Sequence, residues 1–268
     1  MRKFTTGNRA KILALSCVAL ALMAMSGRAA SVAAEEKPVR IAVEGAFPPF
    51  NYLDSKNNLQ GFDVDVARAL CDAAELTCEI VIQEWPTMIP NLLANRYDAI
   101  ISSMSMSAER REKVAFSNKY YDSPSVFIVR KGSDIAGTSA DDLKTVRLGV
   151  TAETSQENYV KKFYGDVSTT VFRASPDLYK GLADGSVDII LEDKLAVYDW
   201  LANTKAGSCC EFKGADIKNT EYFGDGAGIA LRPSDQELLA KFNAALEKIQ
   251  ASETYDTINA KYFPFSIR

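Results

Sequence analysis

The chain has 268 residues, with 31 Lys+Arg against 35 Asp+Glu, a formal net charge of −4, and no histidine. The missing histidine excludes Ser-His-Asp and Cys-His catalysis and any His-ligated metal. A net acidic balance also disfavours nucleic acid and anionic membrane surfaces as partners, because both select a basic footprint.

Arg2, Lys3, Arg9 and Lys11 precede an apolar run from Ile12 to about Met25, followed by the small residues of "SGRAASVAAEE" and the first acidic residue, Glu35. This is the pattern of a secretory signal peptide over residues 1–34, cut after Ala34, with a cut after Ala29 as the alternative. The sequence "ALSC" at Cys17 is a poor lipid-attachment box, since it would interrupt the apolar run. That run is short for a bilayer, and no later one approaches the roughly 20 apolar residues of a membrane helix. Residues 1–34 hold five basic residues and no acidic one, so the mature chain has 26 basic and 35 acidic residues, a net charge near −9.

Val39 opens the first strand, "VRIAV", and a helix is expected over 63–71 in "GFDVDVARALC". Cys71 and Cys78 flank "DAAELT", where that helix should hand over to a strand, and in an oxidising compartment a disulfide closing this loop is the natural reading. A second helix is expected over 86–94, then the strand "DAIISS" and a charged helix in "SAERREKV". "KYYDSPSVFIV", with Pro124 inside a strand-like run, reads as a crossover. Next come "VRLGV", a helix over 155–164, the strand ending in "DIIL", and the helix "KLAVYDWLA". For adjacent Cys209 and Cys210 a vicinal disulfide, two free thiols and partner contacts all stay open. "IKNTEYFGDGAGIAL" reads as a second extended crossover, followed by a helix over about 235–253 and the aromatic tail "KYFPF".

Two segments are echoed. "VRIAV" returns as "VRLGV", and "LLANRYDAII" returns as "GLADGSVDIIL". Strands alternating with helices in two copies predict an α/β fold of two βαβ-type lobes, each with a mostly parallel sheet, joined by two crossovers with a cleft between them. In such sheets ligands bind beyond the carboxyl ends of the strands.

At one such end Ser102, Ser103, Ser105 and Ser107 lead into the helix carrying Arg110. Hydroxyls, free N–H groups and a guanidinium there suit a planar carboxylate, although the plainer role of Ser107 is to cap the helix and leave Arg110 exposed. In the second copy, Glu192 and Asp193 occupy the matching strand end. Arg110 would then take an α-carboxylate and Asp193 an α-ammonium, against the simpler alternative that Asp193 caps "KLAVYDWLA". Glu44 stands directly after the first strand and suits a cationic ligand side chain. Phe47 and Trp85 suit stacking on that chain, with core packing as the competing role for both and for Phe50.

Taken together, "EGAFPPFNY…LQGFDVDVARAL", "EWPTMIPNLLANRYDAIISSMSMSAERREKVAFS", "LEDKLAV" and "YFGDGAGIAL" resemble the periplasmic polar and basic amino-acid-binding proteins of ATP-driven importers. The likeness is greatest to the lysine/arginine/ornithine and histidine binders and their opine-binding relatives, and it spans nearly the whole mature chain. It implies a two-lobed type II periplasmic binding fold: 35–122 and 221–268 forming lobe 1, 123–220 forming lobe 2, and a hinge near 121–125 and 218–222. It further implies that Arg110 and Ser105 hold the ligand carboxylate, and Asp193 with Ser103 the α-ammonium. Ser102 and Glu44 would meet the ligand side chain, Phe47 and Trp85 would sandwich it, and Thr151 and Ser155 would reach in from lobe 2. Cys71–Cys78 matches the family's disulfide. The implied protein is a periplasmic monomer with an amino-acid ligand and a membrane permease as partners, needing no metal or cofactor.

This chain departs from the enteric pattern in having Glu44 for Asp and Phe47 for Tyr, which leaves glutamine or an opine as alternative ligands. A different class, an enzyme resembling the cyclohexadienyl dehydratases on the same scaffold, would need a general acid from Glu44, Glu153, Glu192 or Asp193.

Overall fold

The structure, a computed structural model, describes Met1 and residues 37–268; apart from Met1, the expected signal peptide lies outside the described residues. In chain order the main strands are β1 (Val39–Val43), β2 (Cys78–Ile82), β3 (Ala99–Ile100), β4 (Ala115–Tyr121), β5 (Ser125–Arg130), β6 (Leu148–Thr151), β7 (Thr169–Phe172), β8 (Ile189–Asp193), β9 (Cys210–Ile217) and β10 (Ala227–Leu231). They form two five-stranded sheets, in the orders β2-β1-β3-β10-β4 and β7-β6-β8-β5-β9. The echoed segments occupy equivalent places: β1 and β6 stand second in their sheets, β3 and β8 third.

β1 pairs in parallel with β2 and β3, and β6 with β7 and β8. The reversed strand is β10 in the first sheet and β5 in the second, each antiparallel to both neighbours. In both sheets it is the strand that has just arrived from the other lobe. A chain entering at the cleft edge must run back down the sheet, so each crossing inserts one antiparallel strand.

The helices are α1 (Phe62–Ala73), α2 (Met88–Leu93), α3 (Ala108–Arg111), α4 (Ser155–Phe163), α5 (Ser175–Asp184), α6 (Lys194–Asn203), α7 (Thr220–Phe223), α8 (Gln236–Ala251) and α9 (Glu253–Tyr262). The helix expected over 86–94 resolves into a 3-10 turn at Trp85–Thr87 and then α2, with Pro86 in the first turn where its missing N–H costs nothing. α1, α8 and α9 bury Phe62, Leu70, Phe242, Leu246 and Tyr255 against Ile41 and Ile229 of the first sheet. The same core takes in Leu195 and Ala196 of α6, so the two lobes share apolar contact at the base of the cleft. The faces of the second sheet are filled separately, by Leu178, Leu182 and Trp200 on one side and by Leu148, Val160 and Tyr164 on the other.

Between β4 and β5 the chain crosses in three residues, as expected around Pro124. The second crossing corrects the sequence reading. It is not simply extended but contains α7, which forms because Asn219 caps it, accepting from the N–H groups of Glu221 and Tyr222 at 3.1 and 3.3 Å. Gly224 then turns the chain with φ +68°, where a Cβ would collide with the Met106 carbonyl, so glycine is required for the second crossing to approach the serine-rich loop.

Cys71, near the end of α1, is bonded to Cys78, the first residue of β2, with Cα atoms 6.2 Å apart. Cys209 and Cys210 are bonded to each other, which selects one of the three states the sequence left open. Replacing Cys71 and Cys78 together by Ser should lower the unfolding free energy by about 2–3 kcal/mol, the loop-closure term for so short a loop. Denaturant unfolding of both proteins measures it; unchanged midpoints would show that the bridge adds no stability.

Candidate functional site

The carboxyl ends of the parallel strands in both sheets face one cleft of about 660 Å³, counting its open mouth. That lies within the range of small-molecule sites. Glu44 enters from the end of β1, Ser102, Ser103 and Ser105 from the loop after β3, and Arg110 from α3. Thr151 comes from the end of β6, and Glu192 and Asp193 from the end of β8. Phe47 and Trp85 complete the wall on the first-sheet side. Nine of the ten residues expected at the site therefore line one cavity. Ser155 is not among its lining residues; its hydroxyl reaches the site indirectly, 3.0 Å from that of Ser105.

Arg110 is 7% exposed, not the surface residue of the plainer reading. Its Nη1 donates to the carbonyl and hydroxyl of Ser105 at 3.1 and 2.9 Å, and its Nη2 to the Glu153 carbonyl at 3.1 Å. The guanidinium carbon stands 5.1 Å from the Trp85 ring centre, a cation–π geometry. Ser107 does cap the short helix, accepting from the Arg110 N–H at 3.4 Å. Burial lowers the Arg110 pKa to about 10, which leaves it charged at neutral pH. Arg110 makes no ion pair among the described residues.

Asp193 both caps a helix and lines the cleft. Its Oδ1 caps α6, accepting from the N–H groups of Leu195 and Ala196 at 2.9 and 3.0 Å, and from the Ser123 hydroxyl at 2.8 Å. Oδ2 has no hydrogen-bond partner among the described residues and belongs to a side chain that lines the cleft. Trp85 is half-buried and donates Nε1–H to the Glu153 carbonyl at 3.2 Å. Phe47 lines the cleft while stacking on the buried Phe50 at 5.5 Å. Ser102 accepts the Glu44 N–H at 3.0 Å and fastens the β1 and β3 loops together.

Several lining residues escape a reading of the sequence. Tyr121 and Ser123 are visible there only as crossover residues, and Ser175 and Gln156 give no signal until α5 and α4 are positioned. Glu192 stands out in the sequence only as a candidate acid. Its carboxylate is buried, accepting from the Ser175 hydroxyl at 3.0 Å and from the Asp193 N–H at 2.8 Å. Burial raises the carboxyl pKa of Glu44 to about 7, of Glu192 to about 8 and of Asp193 to about 6. These three acids have no cationic side-chain partner among the described residues, and Arg110 is the cleft's cation.

Residues 39–265 match the family of bacterial extracellular solute-binding proteins, family 3. The chain belongs to this family. It is 38% identical over 258 residues to the lysine/arginine/ornithine-binding periplasmic protein of Escherichia coli, covering 96% of this chain and 97% of the relative. It is 35% identical over 259 residues to the L-arginine-binding protein of Pseudomonas aeruginosa, covering 96% and 98%. Among solved structures, a Salmonella typhimurium periplasmic binding protein described for high arginine specificity superposes with a TM-score of 0.77 at 28% identity, over 85% of this chain and 99% of the other. Among the described residues no helix is long and apolar enough to cross a membrane.

The raised acids make a pH prediction for this solute-binding protein. Because Glu44 and Glu192 bind protons more tightly when folded, the stability they contribute is complete below about pH 4.5 and is lost as the pH rises through about 7 and 8. The ligand-free protein should melt at a higher temperature at about pH 5 than at about pH 8.5, and Glu44→Gln with Glu192→Gln should flatten that slope. A double variant with the same slope as the parent would contradict this assignment.

Proposed function

We propose that the mature chain works in the periplasm as a monomer that captures a cationic L-amino acid, arginine, lysine, ornithine or histidine, by closing its lobes. It then delivers the ligand to the membrane permease of an ATP-driven importer. The residue assignments rest on the family likeness: Arg110 and Ser105 take the α-carboxylate, Asp193 and Ser103 the α-ammonium, and Glu44 with Ser102 the side chain, flanked by Phe47 and Trp85. Thr151 and Ser155 contribute from the second lobe, whose boundaries we assign as 123–220, with 35–122 and 221–268 forming the first lobe and 1–34 a signal peptide.

The observation that carries this reading is the charge pattern of the cleft. Among the described residues, the buried Arg110 guanidinium has no carboxylate partner, and the half-buried Glu44 and Asp193 and the buried Glu192 have no cation partner. An amino acid with a basic side chain supplies both missing charges at once. Taking one ligand between two lobes also makes closure and binding a single equilibrium, in which affinity scales with the fraction of closure-competent protein. No chemistry on the ligand is required.

Thermal-shift titration of refolded, ligand-free protein should show a rise of about 5–10 °C with a cationic amino acid at about 100 times its dissociation constant. A rise with glutamine or an opine alone would keep the fold and the transport role but replace the ligand class. Arg110→Ala should weaken binding by about 2–5 kcal/mol, because it leaves a buried carboxylate unpaired. Calorimetry showing unchanged affinity would sink the Arg110 assignment. The purified protein should leave prephenate and arogenate unconsumed, whereas turnover would favour the dehydratase reading.

A further inference from the structure

Asp63, in the "GFDVDVA" segment, has no part in the site described so far, yet it is a fully buried carboxylate directly behind it. Its Oδ2 accepts from the Ser103 hydroxyl at 2.9 Å and from the Asn51 side-chain amide at 2.7 Å, and its Oδ1 from the Tyr120 hydroxyl at 2.7 Å. The Tyr120 oxygen in turn accepts the Ser103 N–H at 2.9 Å. Ser103 is thus gripped at both its N–H and its hydroxyl, in a left-handed conformation with φ 52° that a non-glycine residue seldom adopts. Asn51 extends the network to the other ligand loop, its Oδ1 accepting the Gly45 N–H at 2.8 Å beside Glu44.

All three side chains that touch Asp63 donate to it. A serine hydroxyl has one proton and two lone pairs, so once the Ser103 proton is committed to Asp63, its oxygen offers only acceptor capacity. We infer that Asp63 is a positioning residue for the ligand's α-ammonium: by taking the Ser103 proton it makes Ser103 an obligate acceptor, relaying negative charge from behind the wall to the ammonium held by Asp193. The inference rests on the amino-acid reading above and adds the residue that sets the polarity of that subsite. Asp63 and Asp193 are close enough for each charge to oppose the other, which concentrates negative potential on one side of the cleft. Burial raises the Asp63 pKa to about 7 against the three hydrogen bonds that lower it. The Tyr121 phenol, kept protonated by burial, lies beside the Ser103 hydroxyl and does not compete as an anion.

Asp63→Asn keeps the shape but removes the negative charge and one of the two acceptor oxygens, so the Ser103 proton is no longer drawn to an anion behind the subsite. The discriminating measurement is calorimetric affinity for L-arginine and for its des-amino analogue, 5-guanidinopentanoate, at about pH 8. Asp63→Asn should lose about 10- to 100-fold for L-arginine, the range of a hydrogen bond to a charged group, and change by less than about threefold for the analogue. Equal losses for both ligands would mean that Asp63 merely holds the loops, and unchanged affinities would mean that it does nothing for binding; either overturns the inference. Should Asp63→Asn fail to fold, Ser103→Ala tests the same relay with the Asp63 contacts to Asn51 and Tyr120 left in place. The same selective loss is expected, and a uniform loss or none would overturn the relay. Wild-type protein that binds no arginine would strike arginine from the proposed ligands and move the comparison to L-lysine and its des-amino analogue 6-aminohexanoate; binding of neither pair would defeat the cationic amino-acid reading and this inference with it, whereas normal wild-type binding with unselective variants defeats only the inference.

Discussion

The rest of this structure is arranged around a charge kept out of water. Arg110 is 7% exposed, and the bonds of its guanidinium go to a hydroxyl and two carbonyls, none of which neutralises it. A buried, unneutralised ion is costly, and the fold lowers that cost in stages. Ser105 supplies two acceptors from its own loop, the Trp85 ring covers one face, and the Glu153 carbonyl arrives from the second lobe. Glu153 delivers that carbonyl from a left-handed conformation with φ 55° and gives it to Trp85 Nε1 as well. One backbone oxygen thereby ties both anchor groups of the first lobe to the second.

The acids on the other side have the complementary problem. Glu44, Glu192 and Asp193 hold their protons more tightly than exposed carboxyls because burial disfavours their charge. Among the described residues only dipoles meet Glu192 and Asp193, the Ser175 and Ser123 hydroxyls and the N–H groups at the start of α6, and the Glu44 carboxyl has no hydrogen-bond partner. Dipoles orient these carboxyl groups without supplying the opposite charge that would draw off their protons. The cleft's acids are therefore positioned geometrically and left without a counter-charge among the described residues.

Much of this was legible in the sequence because the two lobes repeat one grammar. "VRIAV" and "VRLGV" announced equivalent strands, and the serines and the Glu192–Asp193 pair stand at the carboxyl ends of matching buried strands, where a ligand site is expected. Arg110 and Asp193 were visible for the same reason; Ser107 and Asp193 do cap their helices, yet Arg110 is buried and both Arg110 and Asp193 line the cleft. The features that stayed hidden depended on distance along the chain. Asp63, Ser103 and Tyr120 are separated by dozens of residues or lie on different elements, and nothing local says that "GFDVDVA" ends up behind "SSMS". The helix in the second crossing was missed because "KNTEYF" is too short for any periodicity to register, although Asn219 stood as its cap. The pairing of Cys209 with Cys210 likewise needed coordinates, since adjacency alone allows several states.

The two crossings are unlike, and that asymmetry has a mechanical consequence. The first leaves β4 at Tyr121 and enters β5 at Ser125, so both ends are held in sheets and little chain lies between. The second runs from Ile217 to Ala227 through a capped helical turn and a glycine that nestles against the Met106 carbonyl. Under the lobe closure proposed above, the shorter link would fix the axis, as the pin of a door does, while the longer one would move along an arc and change length on its path. The helical turn and Gly224 are where that slack would be taken up, next to the loop that carries Ser105 and leads into α3.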